Sequence, residues 1–473
     1  IWDFVDQGLR GKDAKGNMIY TYGGDYNDYD PSDNNFNCNG FINPDRIPTP
    51  EAYEVGYYYQ NYWVEPYDLN RGMIYVKNEN FFRNADNVSL SWAIVADGVE
   101  QQNGTIADIS FIKPQQSDKV TLPYDLNACK DAKDVQLNVE FRLKKNEGIQ
   151  KAGDIVAYQQ IALREQNGSK VGFGLASTKA VKLIDKKKEP QIVLQGHNFT
   201  LAVNRASGLI EKYEVGGKSL LGEGGTLKPN FWRAVTDNDM GAQLQKRFAV
   251  WRNPEMKLKS IQADKKSKMI MVAYDMPQVK AVLNIAYQIA DNGTLTVNQN
   301  LKTEAGADVP EMLRFGMVMN LPYQMDKSQW FGRGPVENYC DRKYSQNVGI
   351  YSSTADEMFF PYVRPQETGT MGDIRWWNQS DNNGAGLRVE ADKLFSASAL
   401  HYNISDLDEG EEKDQRHSPS VPKSKFTNLC IDLKQAGVGG VDSWGEDGRA
   451  RKGYRVEYQD YDFTFSISPK SLY

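Results

Sequence analysis

Ile1-Trp-Asp-Phe-Val-Asp-Gln-Gly-Leu9, Tyr22-Gly-Gly-Asp25, Pro31-Ser-Asp-Asn-Asn-Phe-Asn-Cys-Asn-Gly40 and Asn43-Pro-Asp-Arg46 are the stretches whose reading decides the architecture. The pattern from Trp2 to Asp6 fits one strand buried on at least one face. From Gly11 to Gly40 the chain is rich in Gly, Asn, Asp and Tyr, the composition of a long ordered loop rather than an element. Loops of that length in a compact domain are usually functional. Thr49-Pro50-Glu51 then starts a helix, with threonine at the cap and proline in the first turn, running to about Gln60. Strand, loop and helix make one βα unit, which cannot bury its own faces. It is expected to pack against another chain or against residues outside this sequence. Trp2 stands in an apolar run with no methionine, cap or leader before it, so further sequence is expected upstream.

Working outward, 473 residues are too many for one core and call for two or three domains. Beyond Tyr62 the grammar changes to short alternating strands. Met73–Lys77, Val88–Val95, Val135–Leu143 and Ile155–Leu163 all alternate or nearly so, with Asp97-Gly98 and Asn103-Gly104 as turns. That spacing suggests an immunoglobulin-like β-sandwich over 63–168. Residues 169–190, ending in Lys186-Lys-Lys-Glu-Pro190, read as a linker. From 191 to 473 strands such as Phe199–Val203, Ala281–Tyr287 and Tyr461–Ile467 imply a large sandwich of extended sheets. The fold class is therefore mostly β and multidomain.

A net charge of -6 offers no basic surface for nucleic acid, and no apolar run is long enough to span a membrane. Cys38, Cys129, Cys340 and Cys430 have no CxxC spacing and the three histidines are scattered, which argues against structural zinc or a His-rich metal centre. No nucleophile elbow, phosphate loop, dinucleotide fingerprint or HExxH occurs.

Several stretches could carry chemistry. An indole such as Trp2 offers a flat apolar face for the C–H face of a pyranose, although a core role is the commoner one. Asp33, Phe36, Cys38 and Asn39 lie in one loop, where an Asn oxygen and a backbone carbonyl suit a hard cation; an Asx-turn cluster is the structural alternative. Asn230–Gly241 holds polar acceptors after an aromatic pair, and Glu337, Asp341 and Arg342 lie close together, as ion pairs that fix loops often do. Gly437-Val-Gly-Gly-Val-Asp-Ser-Trp444 puts a tryptophan on a glycine-rich loop, hard to bury locally and so expected to reach a neighbouring domain.

The same motifs carry a resemblance. Ile1–Gln7, Tyr22–Asp25, Asp33–Gly40 and Pro44–Arg46 strongly resemble the large bacterial β-galactosidases of glycoside hydrolase family 2. The likeness continues through Arg233-Ala-Val-Thr-Asp-Asn-Asp-Met-Gly241, Gly332–Arg342, Pro361–Glu367 and Gly439–Trp444. It implies that residues 1–62 are the last βα unit of a (β/α)8 (TIM) barrel, followed by the immunoglobulin-like domain and a supersandwich resembling galactose mutarotases. By that resemblance Trp2 floors the galactose subsite. Phe36 is a mobile residue whose carbonyl, with the Asn39 side chain, helps hold a sodium ion, and Asp33 braces their loop. Trp444 is sent into the active site by the last domain; Val441 stands where the family often has an acidic residue.

The family's chemistry is retaining hydrolysis by two glutamates about 5–5.5 Å apart. Those glutamates and the magnesium ligands precede Trp2 in the family, so no local Asp or Glu is nominated as catalytic. The expectation is the C-terminal part of a retaining β-galactosidase acting on terminal β-galactosides such as lactose, with the segment inactive alone. The N-terminal part of the same enzyme and a homo-oligomer are the expected partners; the residues do not choose between bacterial cytoplasm and periplasm. A non-catalytic carbohydrate-binding or scaffold protein is the alternative.

Overall fold

The computed structural model describes all residues except 1, 2, 28, 31, 33, 34, 409, 413, 472 and 473. Trp2 and Asp33, two of the expected site residues, therefore lie outside the described residues.

The opening segment departs from the expected strand. Val5 makes a single parallel bridge to Ile42, and Phe4 is exposed. A strand needs a neighbour along its length, and residue 42 is the one rung available to this segment among the described residues. The expected loop from Gly11 to Gly40 likewise contains a hairpin, β1 (Leu9–Lys12) with β2 (Met18–Thr21). Its turn is closed by Asp13, whose Oδ1 accepts the Lys15 and Asn17 amides at 2.9 and 2.8 Å. The helix is α1 (Pro50–Tyr58), with Thr49 at the cap position as expected, although its hydroxyl donates to Phe41 O at 2.8 Å rather than capping the helix.

Seven strands follow: β3 (Tyr62–Asp68), β4 (Met73–Asn78), β5 (Val88–Ala96), β6 (Val99–Ile106), β7 (Gln116–Thr121), β8 (Val135–Leu143) and β9 (Ile155–Arg164). Sheets β3-β4-β7 and β6-β5-β8-β9 enclose one apolar core that includes Val76, Leu90, Leu137 and Phe141. The period-2 pattern puts Val88, Leu90, Trp92 and Ile94 of β5 on the buried face. Asp97-Gly98 makes the β5–β6 turn with both φ angles positive, as a tight hairpin demands. Asn103-Gly104 is not a turn but lies within β6: a Cβ at Gly104 would fall 2.7 Å from Trp92 Cζ2, so this glycine makes room for an indole.

The remaining strands form two antiparallel sheets. One runs, in spatial order, through 182–184, 191–195, 199–204, 210–215, 227–230, 314–322, 426–435, 395–400 and 371–374, with 218–219 pairing at the side. The other runs through 257–264, 269–276, 281–289, 295–303, 461–470, 386–391, 376–380, 327–334 and 347–354. A single buried cluster joins Leu227, Met317, Met319 and Ile431 of the first to Val272, Ile285, Val297 and Phe463 of the second. Lys182–Ile184 falls inside the stretch expected as linker yet is the edge strand of the first sheet, paired with 193–195. The charge run 186–190 is the hairpin turn after it rather than a spacer.

The small sandwich docks on the second sheet through Arg375, fully buried, whose guanidinium donates to Asp134 at 2.8 and 3.0 Å. Gln160 adds two backbone bonds to Val348. The opening segment is likewise held by loops of this chain's own last domain, around Arg342 and Gln415–Ser420, although Phe4, Leu9, Ile47 and Tyr59 stay exposed.

Candidate functional site

Asp6 organises the first wall. Its Oδ1 accepts the Asn39 and Gly40 amides at 2.8 and 3.2 Å, and the Asp3 amide donates to Asn39 O at 2.8 Å. Burial pushes the Asp6 carboxyl up to about 6, against those backbone donors, which lower it. Gly40 is required here because a Cβ would sit 2.2 Å from the Asp6 nitrogen. Asn35–Cys38 is a β-turn closed by Cys38 N to Asn35 O at 3.0 Å, with Asn37 at φ 82° in its third position. An asparagine suits that left-handed position. The turn presents Phe36 half-exposed, its carbonyl accepting the Gly23 amide at 3.0 Å.

Gly23 belongs to the loop Tyr22–Asp25, which the last domain clamps. Asp25 accepts from His417 Nε2 at 2.8 Å and from Gln415 Nε2 at 2.9 Å, while Tyr22 Oη donates to Arg416 O at 2.7 Å. On the helix behind, Glu51 pairs with Arg342, which also binds Glu337 at 2.6 Å. Burial holds Glu337 above the usual carboxylate range in spite of Arg342. Glu337 also takes the Tyr362 hydroxyl at 2.5 Å and Gly369 N at 2.5 Å. The ion-pair reading of Glu337 and Arg342 fits this network. Asp341 faces elsewhere, accepting the Val438 and Gly439 amides at 3.2 and 2.9 Å.

The second wall is the glycine-rich loop 437–448, and the motif Arg233–Gly241 is its foundation. Helix α2 (Asp237–Gly241) begins with a capping box: Thr236 Oγ1 accepts the Asp239 amide at 3.2 Å and Asp239 Oδ2 accepts the Thr236 amide at 2.9 Å. Arg233, fully buried, binds the same Asp239 oxygen at 2.6 Å and reaches Gly437 O at 2.9 Å. Two glycines let the loop lie on the helix, since a Cβ at Gly241 would be 2.1 Å from Ser443 O and one at Gly440 2.8 Å from Asn238 Nδ2. Asp442 closes the tip by accepting the Trp444 and Gly445 amides at 3.2 Å each. Trp444 is left 81% exposed.

Between the walls lies an open cleft of about 1310 Å³ lined by Phe36, Asn39, Asn238, Ser443 and Trp444. It shares Asn39, Asn238 and Ser443 with an adjoining cavity of about 580 Å³ that reaches Asp6, Tyr362 and Arg364. Three of the five residues singled out from sequence thus come together from segments four hundred positions apart. Asp6, Asn238 and Arg364, which donates to Asp237 at 2.7 Å, were not nominated. Asn238 lay within a stretch noted for its acceptors, whereas Asp6 in an apolar run gave no signal. Among the described residues no group of three or more His, Cys, Asp or Glu is arranged to hold a metal ion. No helix among them is long and apolar enough to cross a membrane.

Comparison with known proteins covers nearly the whole chain. Residues 1–63 match the glycosyl hydrolases family 2 TIM barrel domain, 74–164 match β-galactosidase domain 4, and 195–467 match the β-galactosidase small chain. A β-galactosidase of Priestia megaterium is 29% identical over 99% of this chain and 44% of its own length. Those of Halalkalibacterium halodurans and Pseudoalteromonas haloplanktis are each 27% identical over 99% of this chain and 45% of their own. The chain thus spans under half the length of these curated relatives. A galactose 1-epimerase from Lactobacillus acidophilus NCFM aligns in structure at a TM-score of 0.33 and 10% identity, over 61% of this chain and 97% of its own, too remote to bear on the fold. With its last 273-residue region matched by one profile and its opening and middle by two others of the same enzyme group, the chain belongs to the β-galactosidase small-chain family.

Proposed function

We propose that this chain is the C-terminal part of a retaining β-galactosidase that hydrolyses terminal β-galactosides such as lactose. It supplies two walls of the sugar pocket, while the two catalytic glutamates and the magnesium ligands belong to the N-terminal part of the enzyme. The observation that carries this reading is the single cleft lined by Phe36, Asn39 and Trp444. In it Trp444 stacks on the departing alcohol or sugar, and Phe36 packs beside the galactosyl ring; Trp2 floors that ring and Asp33 braces the loop. An exposed indole on a backbone fixed by hydrogen bonds offers its flat face at little entropic cost.

A sodium ion fits the residues in part. The Asn39 Nδ2 is buried without a partner, and no hydrogen bond fixes either end of that amide, so it is free to turn its oxygen inward. The Phe36 carbonyl has a second lone pair besides the one taken by Gly23. Two oxygens fall short of a hard cation's full set, so the remaining ligands come from outside this chain. When bound, the ion supplies positive charge beside the sugar hydroxyls. Asn39 and Phe36 orient it, Asp6 fixing the Asn39 backbone and the Gly23 amide fixing the Phe36 carbonyl.

The test is complementation. The chain alone is expected to leave a nitrophenyl β-galactoside intact, and recombination with the N-terminal part is expected to restore turnover. Turnover by the chain alone would overturn the division of labour. Calorimetric galactose binding with and without sodium separates this reading from a plain carbohydrate-binding scaffold, which would not respond to the ion. Assembly into a homo-oligomer is part of the proposal and is read by light scattering.

A further inference from the structure

A cavity of about 550 Å³ opens on the outer face of the first large sheet, lined by Asn230, Trp232, Arg252, Asn320, Asp408 and Asn428 among others. It shares no lining residue with the cleft of Phe36 and Trp444. The sheet explains why these residues meet. Lys228 pairs with Val318 and Asn320 with Asn428, and residues directly opposite on neighbouring strands share a face. Leu227, Met317, Met319 and Leu429 alternate inward to the core, so Asn230, Val318, Asn320 and Asn428 stand on the outer side.

Most polar atoms here are bonded, which fixes the geometry. Asn320 Nδ2 donates to Asn428 Oδ1 at 2.8 Å, and Asn428 Nδ2 donates to Tyr402 O at 2.9 Å. Asp408 Oδ2 takes the Trp232 indole N–H at 2.9 Å and the Arg252 Nε at 2.7 Å. Arg252 also lies over the Trp232 ring, 4.7 Å from its centroid.

Two buried atoms are left over. Asn230 Oδ1 accepts the Trp232 amide at 3.2 Å, which sets the orientation of that amide and leaves its Nδ2 without a partner. Asp408 Oδ1 is also buried and without a partner. Both side chains belong to residues more than nine-tenths buried. Leaving such groups unpaired carries their full desolvation cost, so a folded chain keeps them where something else satisfies them.

We propose that this cavity is a second binding site, for a small neutral polyhydroxylated molecule of the monosaccharide class. The site offers one free donor and one free acceptor, and a hydroxyl group meets either. Inside, its charge is balanced, because Asp408 is paired with Arg252; the third charged lining residue, Lys228, stands exposed in solvent at the mouth. The amide pair Asn320–Asn428 presents further donors and acceptors, and Phe426 with Met256 supplies apolar wall for C–H groups. The volume is in the range of small-molecule pockets, roughly 300–1,000 Å³. This site does not depend on the galactosidase reading of the other cleft.

The experiment uses the full chain carrying Trp2→Phe and Trp444→Phe, so that tryptophan emission no longer reports the first cleft. Titration with D-galactose and D-glucose is expected to give a saturable change from Trp232 and Trp251. Asn230→Asp, which keeps the bond to the Trp232 amide but replaces the free donor with an acceptor, is expected to weaken binding about tenfold or more. Asn320→Leu, at a half-buried position, is expected to do the same by replacing an amide of the wall and its bond to Asn428 with an apolar side chain. If Asn230→Asp fails to fold, Asn320→Leu alone decides. No saturable response to either sugar up to concentrations on the order of 100 mM, or one that neither variant weakens, overturns the proposal, and the two leftover atoms are then met by water alone.

Discussion

Removing the Arg233 guanidinium should unfasten the Trp444 wall from beneath. In Arg233→Met the Asp239 carboxylate, 2% exposed, loses its 2.6 Å partner, and Gly437 O loses a donor at 2.9 Å. Breaking one side of a buried pair costs about 3–5 kcal/mol, because the other charge stays buried. Asp239 keeps the Thr236 amide at 2.9 Å, so the low end, about 3 kcal/mol, is expected here. Arg233→Met/Asp239→Asn removes the stranded charge while retaining a capping oxygen, and should recover about 2 kcal/mol of that loss. Urea unfolding followed by tryptophan emission suits the comparison, since six of the nine tryptophans lie in the last 283 residues. A single substitution costing under about 1 kcal/mol, or a double one no better than the single, would refute the account of Arg233 as the anchor.

Gly241→Ala places a methyl 2.1 Å from Ser443 O, so the loop must shift; a loss of about 1–3 kcal/mol and altered Trp444 emission are expected. Trp444→Ala should leave stability within about 0.5 kcal/mol, the side chain being 81% exposed, while raising KM of the complemented enzyme for aryl galactosides. For Asp6, raised from 3.8 to about 6, the folded state binds the proton more tightly than the unfolded one. Its contribution to stability is therefore full below the unfolded value and is lost as pH rises through about 6. Asp6→Asn should accordingly gain in melting temperature relative to the parent between pH 4.5 and 7.5, and a gap that stays constant across that range would count against the assignment.

Much of the β architecture was legible because alternation at period 2 survives wherever one strand face is buried, as in Val88–Ala96 and Val135–Leu143. It failed where the local signal was overridden. Asn103-Gly104 looks like a turn, but the need for the glycine comes from Trp92, across the sheet. The hairpin Leu9–Thr21 carries little alternation because most of its residues remain partly exposed. The charge run 186–190 has the composition of a linker and the role of a tight turn. In the site, Trp444 could be singled out because a glycine-rich loop cannot bury an indole locally. Its partnership with Phe36 could not be read from spacing, since it depends on the clamp between Asp25 and His417.

Loop 437–448 separates two demands that usually conflict. Its main chain is tied down by Arg233, Asp341 and glycine contacts with α2, while the side chains of Val441 and Trp444 take almost no part in that fastening, being 72% and 81% exposed. Substitutions at those two tips are therefore nearly free of folding consequences, and the surface that the loop turns toward the cleft can change on an unchanged mount.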